Sequence, residues 1–503
     1  LEYIMDIIIQ GFTEAFAPFN LLLMLIGTSA GILFGALPGI SSAMGTVLLL
    51  TFTYGMNPVS AMILLIAGFC GATYGGSITS ILFGTPGTPA NVMTVVDGYP
   101  MHKQGRGGEA LGLAITSSVL GGLFSTIVLI LTVKPLARVA ISFGPAEYVA
   151  LAILGLSSIT SLGGKSQVKG LISVCIGLVL ATFGTDEISG VPRFTFGTTL
   201  FANGVHFIPV MIGAFAIAEV FNQIATRSKQ SANAKVDVRI QLMSLKKIWK
   251  HRWLMLKSAV IGVFIGILPG SGGSIASVIA YGEAVRSSKN PDEFGNGAAE
   301  GVIAPEVANN AATGGALVPT MALGIPGSGT TAILLGAFIL HGMRPGPLLF
   351  MTQPTLLYGV FIAMLIANIF LFIGGKFGIR LFLQVSKLPY SIQGPVILLL
   401  CFIGSFALSN DMGNVWFMLF AGIIGYFLKK YGFSVAALVL GLVLGPLLEE
   451  NLRRALIISQ NNIAEVVFRP IAGPIFLLSI LALLSPFIRE FMKKRKEKNE
   501  KIA

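Results

Sequence analysis

The sequence predicts an all-α, polytopic membrane protein, and three observations support this fold class. The chain of 503 residues is 54% hydrophobic, and its mean hydropathy is +0.82. Only 11% of the residues are charged, whereas a soluble globular domain carries about 25%. Uncharged runs such as Ser117–Val133, Pro395–Ala407 and Ile471–Leu484 are long enough to cross or nearly cross a bilayer. These runs do not alternate between polar and apolar residues, which argues against a transmembrane β-barrel.

The first segment, Tyr3–Ala17, has the pattern of a short amphipathic helix lying at a membrane interface. It contains acidic residues but no Lys or Arg. A signal peptide needs a basic amino-terminal region and a small-residue cleavage site, and the sequence shows neither. We therefore expect no signal peptide.

Two long stretches of the chain resemble each other. Gly31–Thr46 is similar to Gly262–Ser277, at an offset of 231 residues. The Pro-Gly step at Pro86-Gly87 recurs at Pro326-Gly327, and internal similarity of this kind is common in transporters. We divide the chain into repeat one at 1–226, a basic linker at 227–257, repeat two at 258–460, an extra helix at 461–488 and a tail at 489–503.

Basic residues are concentrated in two segments, Arg227–Lys257 and Arg489–Lys501. Lys and Arg accumulate in the cytoplasmic loops of membrane proteins. The net charge of +12 therefore reflects membrane topology, and we expect no nucleic-acid binding. The linker and the carboxyl-terminal tail are both predicted to be cytoplasmic.

This placement predicts that the two repeats are inverted in the membrane. One extra helix precedes the cytoplasmic tail, so repeat two starts inside and ends outside. Repeat one, if built alike, starts outside and ends inside. Arg453, Arg454 and Arg469 oppose this topology, because it would place them outside. Inverted repeats typically hold a substrate near the bilayer midplane, at interrupted helices.

The Pro-Gly steps lie in FGTPGTPANV, Phe83–Val92, and in LGIPGSGTTA, Leu323–Ala332. Each step is embedded in apolar sequence and should interrupt a membrane helix. Free N–H groups at the start of the next half-helix favour anions. Nearby hydroxyls can bind either an anion or Na⁺. Close helix packing is the competing explanation for any single glycine. The candidate substrate ligands are Thr85, Pro86, Gly87, Thr88, Asn309, Asn310, Pro326, Gly327, Ser328, Gly329, Thr330 and Thr331.

Other polar features are candidates for binding a cation. The LPG turns at Leu37–Gly39 and Leu268–Gly270 are equally consistent with the tips of re-entrant hairpins. Glu306 either pairs with a cation or lies at a solvated helix end beside Pro305. Repeat one has no counterpart of Glu306, so the site is predicted to be asymmetric. The candidate cation ligands are Pro38, Gly39, Ser41, Pro269, Gly270, Ser271 and Glu306.

The remaining polar residues form no catalytic or metal-binding pattern. Cys70, Cys175 and Cys401 are far apart in apolar sequence, and the 4 His residues have no ligand spacing. The charged stretch Asp97–Glu109 is predicted to be a cytoplasmic turn that does not contact ligand. We therefore expect no enzymatic activity, no metal beyond Na⁺ and no cofactor other than a coupling ion.

Several stretches resemble the large, TctA-like membrane subunit of the tripartite tricarboxylate transporter family. They are the LPG turn, Tyr74–Ala90, the DGYP…KQGRGGEALG loop and Gly301–Ala332, within a similarity that covers nearly the whole chain. The resemblance implies an importer of citrate or other carboxylates that is coupled to Na⁺ or H⁺. It implies two partners, a small four-helix membrane subunit and a periplasmic or lipid-anchored solute-binding protein. It also implies a location in the bacterial cytoplasmic (inner) membrane.

An anion channel or another solute permease subunit remains the alternative function. A channel would not need a repeated pair of ion-binding breaks, and an ATP-driven permease is disfavoured because the chain lacks a Walker motif. For alternating access, we favour elevator-type movement over rocking. The body carrying Pro86 and Pro326 would slide, while the linker, with Trp249 and Trp253, would stay at the cytoplasmic surface.

Overall fold

The structure, a computed structural model, confirms an all-α polytopic membrane protein. It describes the chain except for residues 1, 38–39, 141, 158–166, 187–189, 199–200, 203, 227–239, 269–271, 380–381, 383, 385–389, 409 and 485–503. The predicted tail and the first part of the predicted linker lie outside the described residues. The described residues are largely helical and contain one short two-stranded antiparallel sheet.

The helices of the first half begin and end as follows. They are α1 (Glu2–Phe16), α2 (Pro18–Ala36), α3 (Ser42–Leu50), α4 (Pro58–Phe83), α5 (Val92–Met101), α6 (Gly107–Ala140), α7 (Pro145–Ser157), α8 (Gln167–Ala181), α9 (Phe207–Met211) and α10 (Ala218–Thr226). Short helical turns at Pro89–Asn91, His102–Arg106 and Ile212–Ile217 precede α5, α6 and α10. The strands β1 (Gly184–Thr185) and β2 (Pro192–Arg193) follow α8.

The helices of the second half continue the numbering. They are α11 (Leu245–Lys250), α12 (Arg252–Ile267), α13 (Gly272–Ser287), α14 (Ala299–Leu323), α15 (Gly329–Leu340), α16 (Pro347–Thr352), α17 (Pro354–Phe377), α18 (Tyr390–Ala407), α19 (Met412–Lys430), α20 (Val435–Ile458), α21 (Ile463–Val467) and α22 (Ala472–Leu484).

Within the described residues, seven segments are long and apolar enough to cross a membrane. They are Pro18–Ala36, Pro58–Phe83, Pro89–Val133, Phe207–Ala225, Pro354–Phe377, Met412–Lys430 and Val435–Ile458. Shorter apolar helices, among them α15 and α22, add to this set.

The chain forms two compact units. Unit 1 comprises Leu1–Arg138 and Met211–Tyr426, and unit 2 comprises Val139–Val210 and Phe427–Ala503. Each predicted repeat contributes to both units, so the units cut across the predicted repeat boundaries. Those boundaries, and the inversion of the repeats, stay predictions.

Two helix pairs in unit 1, α2 with α4 and α12 with α14, pack with closely approaching backbones. A methyl group on Gly31 would lie 2.2 Å from the carbonyl oxygen of Gly68. A methyl group on Gly262 would lie 2.4 Å from the carbonyl oxygen of Ala308. Small residues at these contacts bring the helices together, as in other membrane proteins.

The helices α4 and α14 belong to the core of unit 1. Buried residues run from Ser60 to Leu82 in α4 and from Gly301 to Ala322 in α14. The helix α14 continues through Pro305, so a solvated helix end beside that proline is wrong for Glu306. A proline is tolerated inside a membrane helix because neighbouring groups can satisfy the freed backbone.

The stretch Asp97–Glu109 is helical, and the expectation of a simple turn is wrong. The chain passes from α5 through the single turn His102–Arg106 into α6, and Gly105, at a φ of 78°, marks the kink. Lys103 and its two successors are exposed, whereas Asp97 is fully buried. Asp97 can be buried because other elements supply its hydrogen-bond donors.

Candidate substrate and ion site

The first break separates α4 from α5. Gly84 ends α4 in the left-handed conformation, with a φ of 67°, which glycine adopts without steric cost. Thr85 and Pro86 are exposed, whereas Gly87 and Thr88 are buried. The first break therefore presents one hydroxyl residue outward and holds the next inside the protein.

The second break separates α14 from α15 and has the same left-handed glycine, Gly324, with a φ of 71°. Here the next helix caps itself. Ser328 Oγ accepts a hydrogen bond from Thr331 N at 3.2 Å, and Thr331 Oγ1 accepts one from Ser328 N at 2.8 Å. This capping box occupies two of the predicted ligand residues. Pro326, Gly327 and Thr330 are buried, and Gly329 is partly exposed.

The glycines of the two Pro-Gly steps fill equivalent tight positions. A methyl group on Gly87 would lie 2.3 Å from the carbonyl oxygen of Gly35 and 2.6 Å from the Cα of Gly76. On Gly327 it would lie 2.7 Å from the carbonyl oxygen of Gly266. Packing therefore requires both glycines, whatever they contribute to a ligand.

The helix α13 contacts the second break and the segment that follows the first. Ser277 Oγ donates a hydrogen bond to the carbonyl oxygen of Ala90 at 2.8 Å. Five residues earlier on the same helix, Gly272 lies beside Ser328, whose Cβ is 3.6 Å from the position of a methyl group on Gly272. Five residues span about 7.5 Å along a helix axis. The two interrupted segments are thus brought close together.

Glu306 lies in a fully buried polar group, the Glu306 cluster, which consists of Ser77, Thr88, Asn91, Thr94, Ser118 and Glu306. Oε1 accepts hydrogen bonds from Ser77 Oγ at 2.7 Å and Thr94 Oγ1 at 2.5 Å. Asn91 Nδ2 donates to Oε1 at 3.4 Å, and Ser118 Oγ donates to Oε2 at 2.9 Å.

All four donors to Glu306 are neutral, and no ion pair reaches this carboxylate among the residues that the structure describes. The donors come from predicted repeat one, whereas Glu306 comes from predicted repeat two. Burying a carboxylate is costly unless hydrogen bonds compensate for lost water. The cluster therefore stabilises a contact between the two halves of the sequence.

Asn91 connects this carboxylate to the first break. Its Oδ1 accepts a hydrogen bond from Thr88 Oγ1 at 2.5 Å, and its Nδ2 donates to Ser77 Oγ at 2.9 Å. Sequence analysis missed the role of Ser77, Asn91, Thr94 and Ser118. The available signal was Glu306 itself, because an ionisable residue inside a membrane protein needs polar partners.

Asn309 and Asn310, predicted to bind an anion, are both buried. Asn310 Nδ2 donates to the carbonyl oxygen of Glu306 at 3.0 Å, within its own helix. Asn309 Nδ2 donates to the carbonyl oxygen of Thr73 at 3.4 Å, and Asn91 Nδ2 reaches the same oxygen at 3.3 Å. In this structure, the side-chain amides of both residues therefore donate to backbone carbonyl oxygens.

Asp97, on α5, caps α14 from a different helix. Its Oδ1 accepts hydrogen bonds from the backbone N–H groups of Gly295, Gly297 and Ala298 at 2.8, 2.9 and 2.9 Å. Tyr281 Oη donates to Oδ2 at 2.9 Å. Ala298 precedes α14 and has no capping side chain, so Asp97 satisfies donors that the helix leaves open.

The predicted cation ligands of the LPG turns are mostly untested. Pro38, Gly39, Pro269, Gly270 and Ser271 lie outside the described residues. Ser41 caps α3, and its Oγ accepts a hydrogen bond from Met44 N at 3.1 Å. The described residues contain no group of three or more His, Cys, Asp or Glu side chains that could hold a metal ion.

The chain is similar to known proteins over most of its length. Residues 21–440 match the model of the tripartite tricarboxylate transporter TctA family. The chain is 37% identical over 485 residues, 96% of each chain, to an Agrobacterium vitis protein described as an uncharacterized 52.8 kDa protein in the TAR-I ttuC' 3'region. It is 40% identical over 234 residues, 46% of this chain and 97% of the relative, to an uncharacterized protein in the TAR-II ttuC' 3'region of Agrobacterium vitis. No solved structure matches the chain.

Proposed function

Because this chain belongs to the tripartite tricarboxylate transporter TctA family, we propose that it is the large membrane subunit of a secondary importer of carboxylates. The family implies other subunits, including a binding protein. We further propose a small membrane subunit as the third component, Na⁺ or H⁺ as the coupling ion, and the bacterial inner membrane as the location. The observation that carries this proposal is that α13 contacts both helix breaks and so brings them close together.

The proposed substrate site lies between the two breaks. Thr85 presents an exposed hydroxyl from the first break, and Ser328 and Gly329 are partly exposed at the second. Helix N-termini favour negative charge, so the start of α15 suits one carboxylate group of the substrate. Asn309 and Asn310 would join this site only after rearrangement, because both side chains are buried in this structure.

Contacts between the two predicted repeats support the proposal that they are inverted. The helix α3 of predicted repeat one packs against α15, which follows the second break. The helix α13 of predicted repeat two packs against Pro89–Asn91 and α5, which follow the first break. Each half thus packs beside the interrupted helix of the other, as expected for two similar units that share a central site.

The arginines that oppose the inverted topology form ion pairs within unit 2. Arg453 pairs with Asp186 at 2.7 Å and with Glu449 at 2.8 Å. Arg454 pairs with Glu450 at 2.5 Å, and Arg469 lies 4.0 Å from Glu147. The positive-inside tendency depends on Lys and Arg and only weakly on Asp and Glu, so these ion pairs do not remove the objection. The proposal that the linker and carboxyl terminus are cytoplasmic rests on their concentration of basic residues.

For the transport mechanism, we propose alternating access with the two breaks moving as one body. Asp97 and Glu306 tie α5 to α14 at two points. The helix α6 also packs closely on α14, since a methyl group on Gly121 would lie 2.3 Å from the carbonyl oxygen of Val307. The moving body of an elevator would therefore include α6, and its scaffold must be formed by other helices.

Counterflow tests the proposed function. The chain would be reconstituted in proteoliposomes with its small membrane subunit and binding protein, after the binding protein has been screened for the carboxylate it binds. If the protein is a carrier, proteoliposomes preloaded with unlabelled carboxylate transiently accumulate labelled carboxylate above its equilibrium level. The rate of this accumulation should depend on Na⁺ or H⁺. Simple equilibration of the label would instead support an anion channel.

A matched pair of variants tests the site. Thr85→Val removes an exposed hydroxyl from the first break, and Thr198→Val removes one from unit 2. A hydrogen bond to a charged group contributes about 1.5–3 kcal/mol. We therefore expect Thr85→Val to raise the half-saturating carboxylate concentration by roughly tenfold or more, and Thr198→Val to leave it unchanged. Equal behaviour of the two variants would remove the first break from the substrate site.

A further inference from the structure

A groove of about 630 Å³ lies between α12 and α13. Its lining includes Lys257, Val260, Ile279, Gly282, Glu283 and Arg286. The groove is open at Gly282, where an added methyl group would meet no atom within 4 Å. The helix pair therefore leaves an open groove on its surface that another molecule can enter.

Polarity changes along this groove in one direction. On α12, Lys257 is followed on the same face by Val260 and Phe264, and both apolar side chains are exposed. The helix α13 runs in the opposite direction to α12. Arg286 lies in the last turn of α13, and Ile279 lies about two turns earlier, closer to the two breaks. The basic groups thus lie at the end beside the linker, and the apolar groups lead from there toward the two breaks.

The basic end of the groove keeps a net positive charge. Lys257 and Arg286 both pair with Glu283, with Arg286 Nη2 at 2.6 Å from Glu283 Oε2. The hydrogen bond from Lys257 holds the pKa of Glu283 below its usual range, so the group stays ionised at neutral pH. Two cations share one carboxylate, and the Arg286 side chain is 80% exposed. An added anion can therefore bind without displacing the existing pairs.

The exposed aromatic residues beside this end match a membrane interface. Trp249 and Trp253 are exposed, and the guanidinium of Arg252 lies 4.8 Å from the ring of Trp249. Tryptophan is enriched where lipid headgroups meet the hydrocarbon region. Lys257 and Arg286 therefore lie close to headgroup depth, and the apolar part of the groove lies at acyl-chain depth.

The corresponding hairpin of predicted repeat one lacks this charge pattern. Residues 18–54, which contain α2 and α3, include no Asp, Glu, Lys, Arg or His. The α2–α3 pair packs together without any charged side chain, so a hairpin of this kind can form without counterparts of Lys257, Glu283 and Arg286. Their presence in one hairpin points to a ligand that this hairpin alone binds.

We propose that the groove between α12 and α13 binds an anionic phospholipid. Its phosphate contacts Lys257 and Arg286, and one acyl chain lies along Val260 and Ile279. This proposal does not depend on the substrate of the transporter. Because α13 also contacts Ala90 and lies beside Ser328, a lipid bound there stabilises the helix that holds the two interrupted segments together.

The test is binding of phosphatidylglycerol and phosphatidylcholine to the delipidated full-length chain in detergent, measured by native mass spectrometry and by thermal shift. Lys257→Gln/Arg286→Gln removes the proposed contacts. Lys246→Gln/Lys250→Gln, the matched control, removes the same charge from α11. We expect the wild type and the control to bind phosphatidylglycerol in preference to phosphatidylcholine. We expect the first variant to bind it about thirtyfold more weakly, which corresponds to about 2 kcal/mol for two basic contacts.

Gly282→Phe gives a test that leaves the charge unchanged. The new ring would fill open space in the groove and exclude the acyl chain, so phosphatidylglycerol binding should fall without loss of folding. Three outcomes would overturn the proposal: equal losses in the two charge variants, no preference for the anionic lipid, or full binding by the Gly282→Phe variant. Stabilisation by inorganic phosphate equal to that by phosphatidylglycerol would also overturn it, because the acyl chain would then contribute nothing.

Discussion

The two helix breaks have similar sequences and similar backbones but are stabilised in different ways. Both end a buried helix with a left-handed glycine, Gly84 or Gly324. The second break caps its own following helix through Ser328 and Thr331. The first break has no such cap, and Asn91 and Thr94 instead bond to Glu306 of the other predicted repeat.

This difference shows that a repeated sequence pattern need not have the same stabilising contacts in its two copies. The Pro-Gly step interrupts the helix in both. In the second copy, residues three apart satisfy two of the N–H groups at the start of α15. In the first copy, the side chains of Asn91 and Thr94 instead bond to Glu306, which lies more than 200 positions away. The first break should therefore be more sensitive to substitutions elsewhere in the chain.

The largest expected effect is that of Glu306→Ala. It leaves the hydroxyls of Ser77, Thr94 and Ser118 without their acceptor, whereas the amide of Asn91 keeps its bonds to Ser77 Oγ and to the carbonyl oxygen of Thr73. At about 1–3 kcal/mol for each unsatisfied buried donor, the free energy of unfolding should fall by roughly 3 kcal/mol or more, and uptake should be lost. Denaturant unfolding in detergent measures the change. Glu300→Ala, on the same helix but partly exposed, is the control, and an equal loss there would contradict the role of the Glu306 cluster.

The next effect is that of Asp97→Ala, which tests the second link between the first break and α14. It leaves the buried N–H groups of Gly297 and Ala298 without an acceptor, at about 1–3 kcal/mol each. Hydrogen exchange at the start of α14 should increase, and thermal stability should fall. Asp292→Ala, an exposed acidic residue on the same loop, should change neither measurement. Unchanged exchange in the Asp97 variant would show that α14 does not need this cap.

A smaller effect separates Gly87→Ala from Gly327→Ala. Overpacking a buried site costs about 1–3 kcal/mol, and the clash is tighter at Gly87, at 2.3 Å compared with 2.7 Å. Both variants should have a lower melting temperature, with the larger decrease at Gly87. A variant with wild-type stability that has lost only its response to substrate would instead show that the glycine contacts the ligand.

The smallest expected effect is that of Ser328→Ala. Loss of a capping side chain costs about 1 kcal/mol, and the loss should stay local because the cap lies within one turn of α15. Thermal unfolding should show a small decrease, and Ser328→Asn should restore stability by supplying another capping oxygen. A decrease as large as that of Glu306→Ala would mean that the second break also depends on distant contacts.

The sequence alone was enough to predict the membrane fold class and the positions of the two breaks. Apolar composition favours helices inside a bilayer, because lipid cannot satisfy free backbone groups. A Pro-Gly step interrupts a helix through local geometry, and α4 and α14 indeed end just before Pro86 and Pro326. Both conclusions follow from residues that are neighbours along the chain.

The partners of Glu306 and Asp97 required the folded chain. Glu306 lies 188 to 229 positions from the hydroxyl groups that bond to it, and Asp97 lies 198 to 201 positions from the N–H groups that it caps. Many serines and threonines in an apolar sequence are equally plausible donors, because local pattern does not say which helices touch. Burial of the two carboxylates then depends on helix packing, which brings together donors that sequence spacing keeps apart.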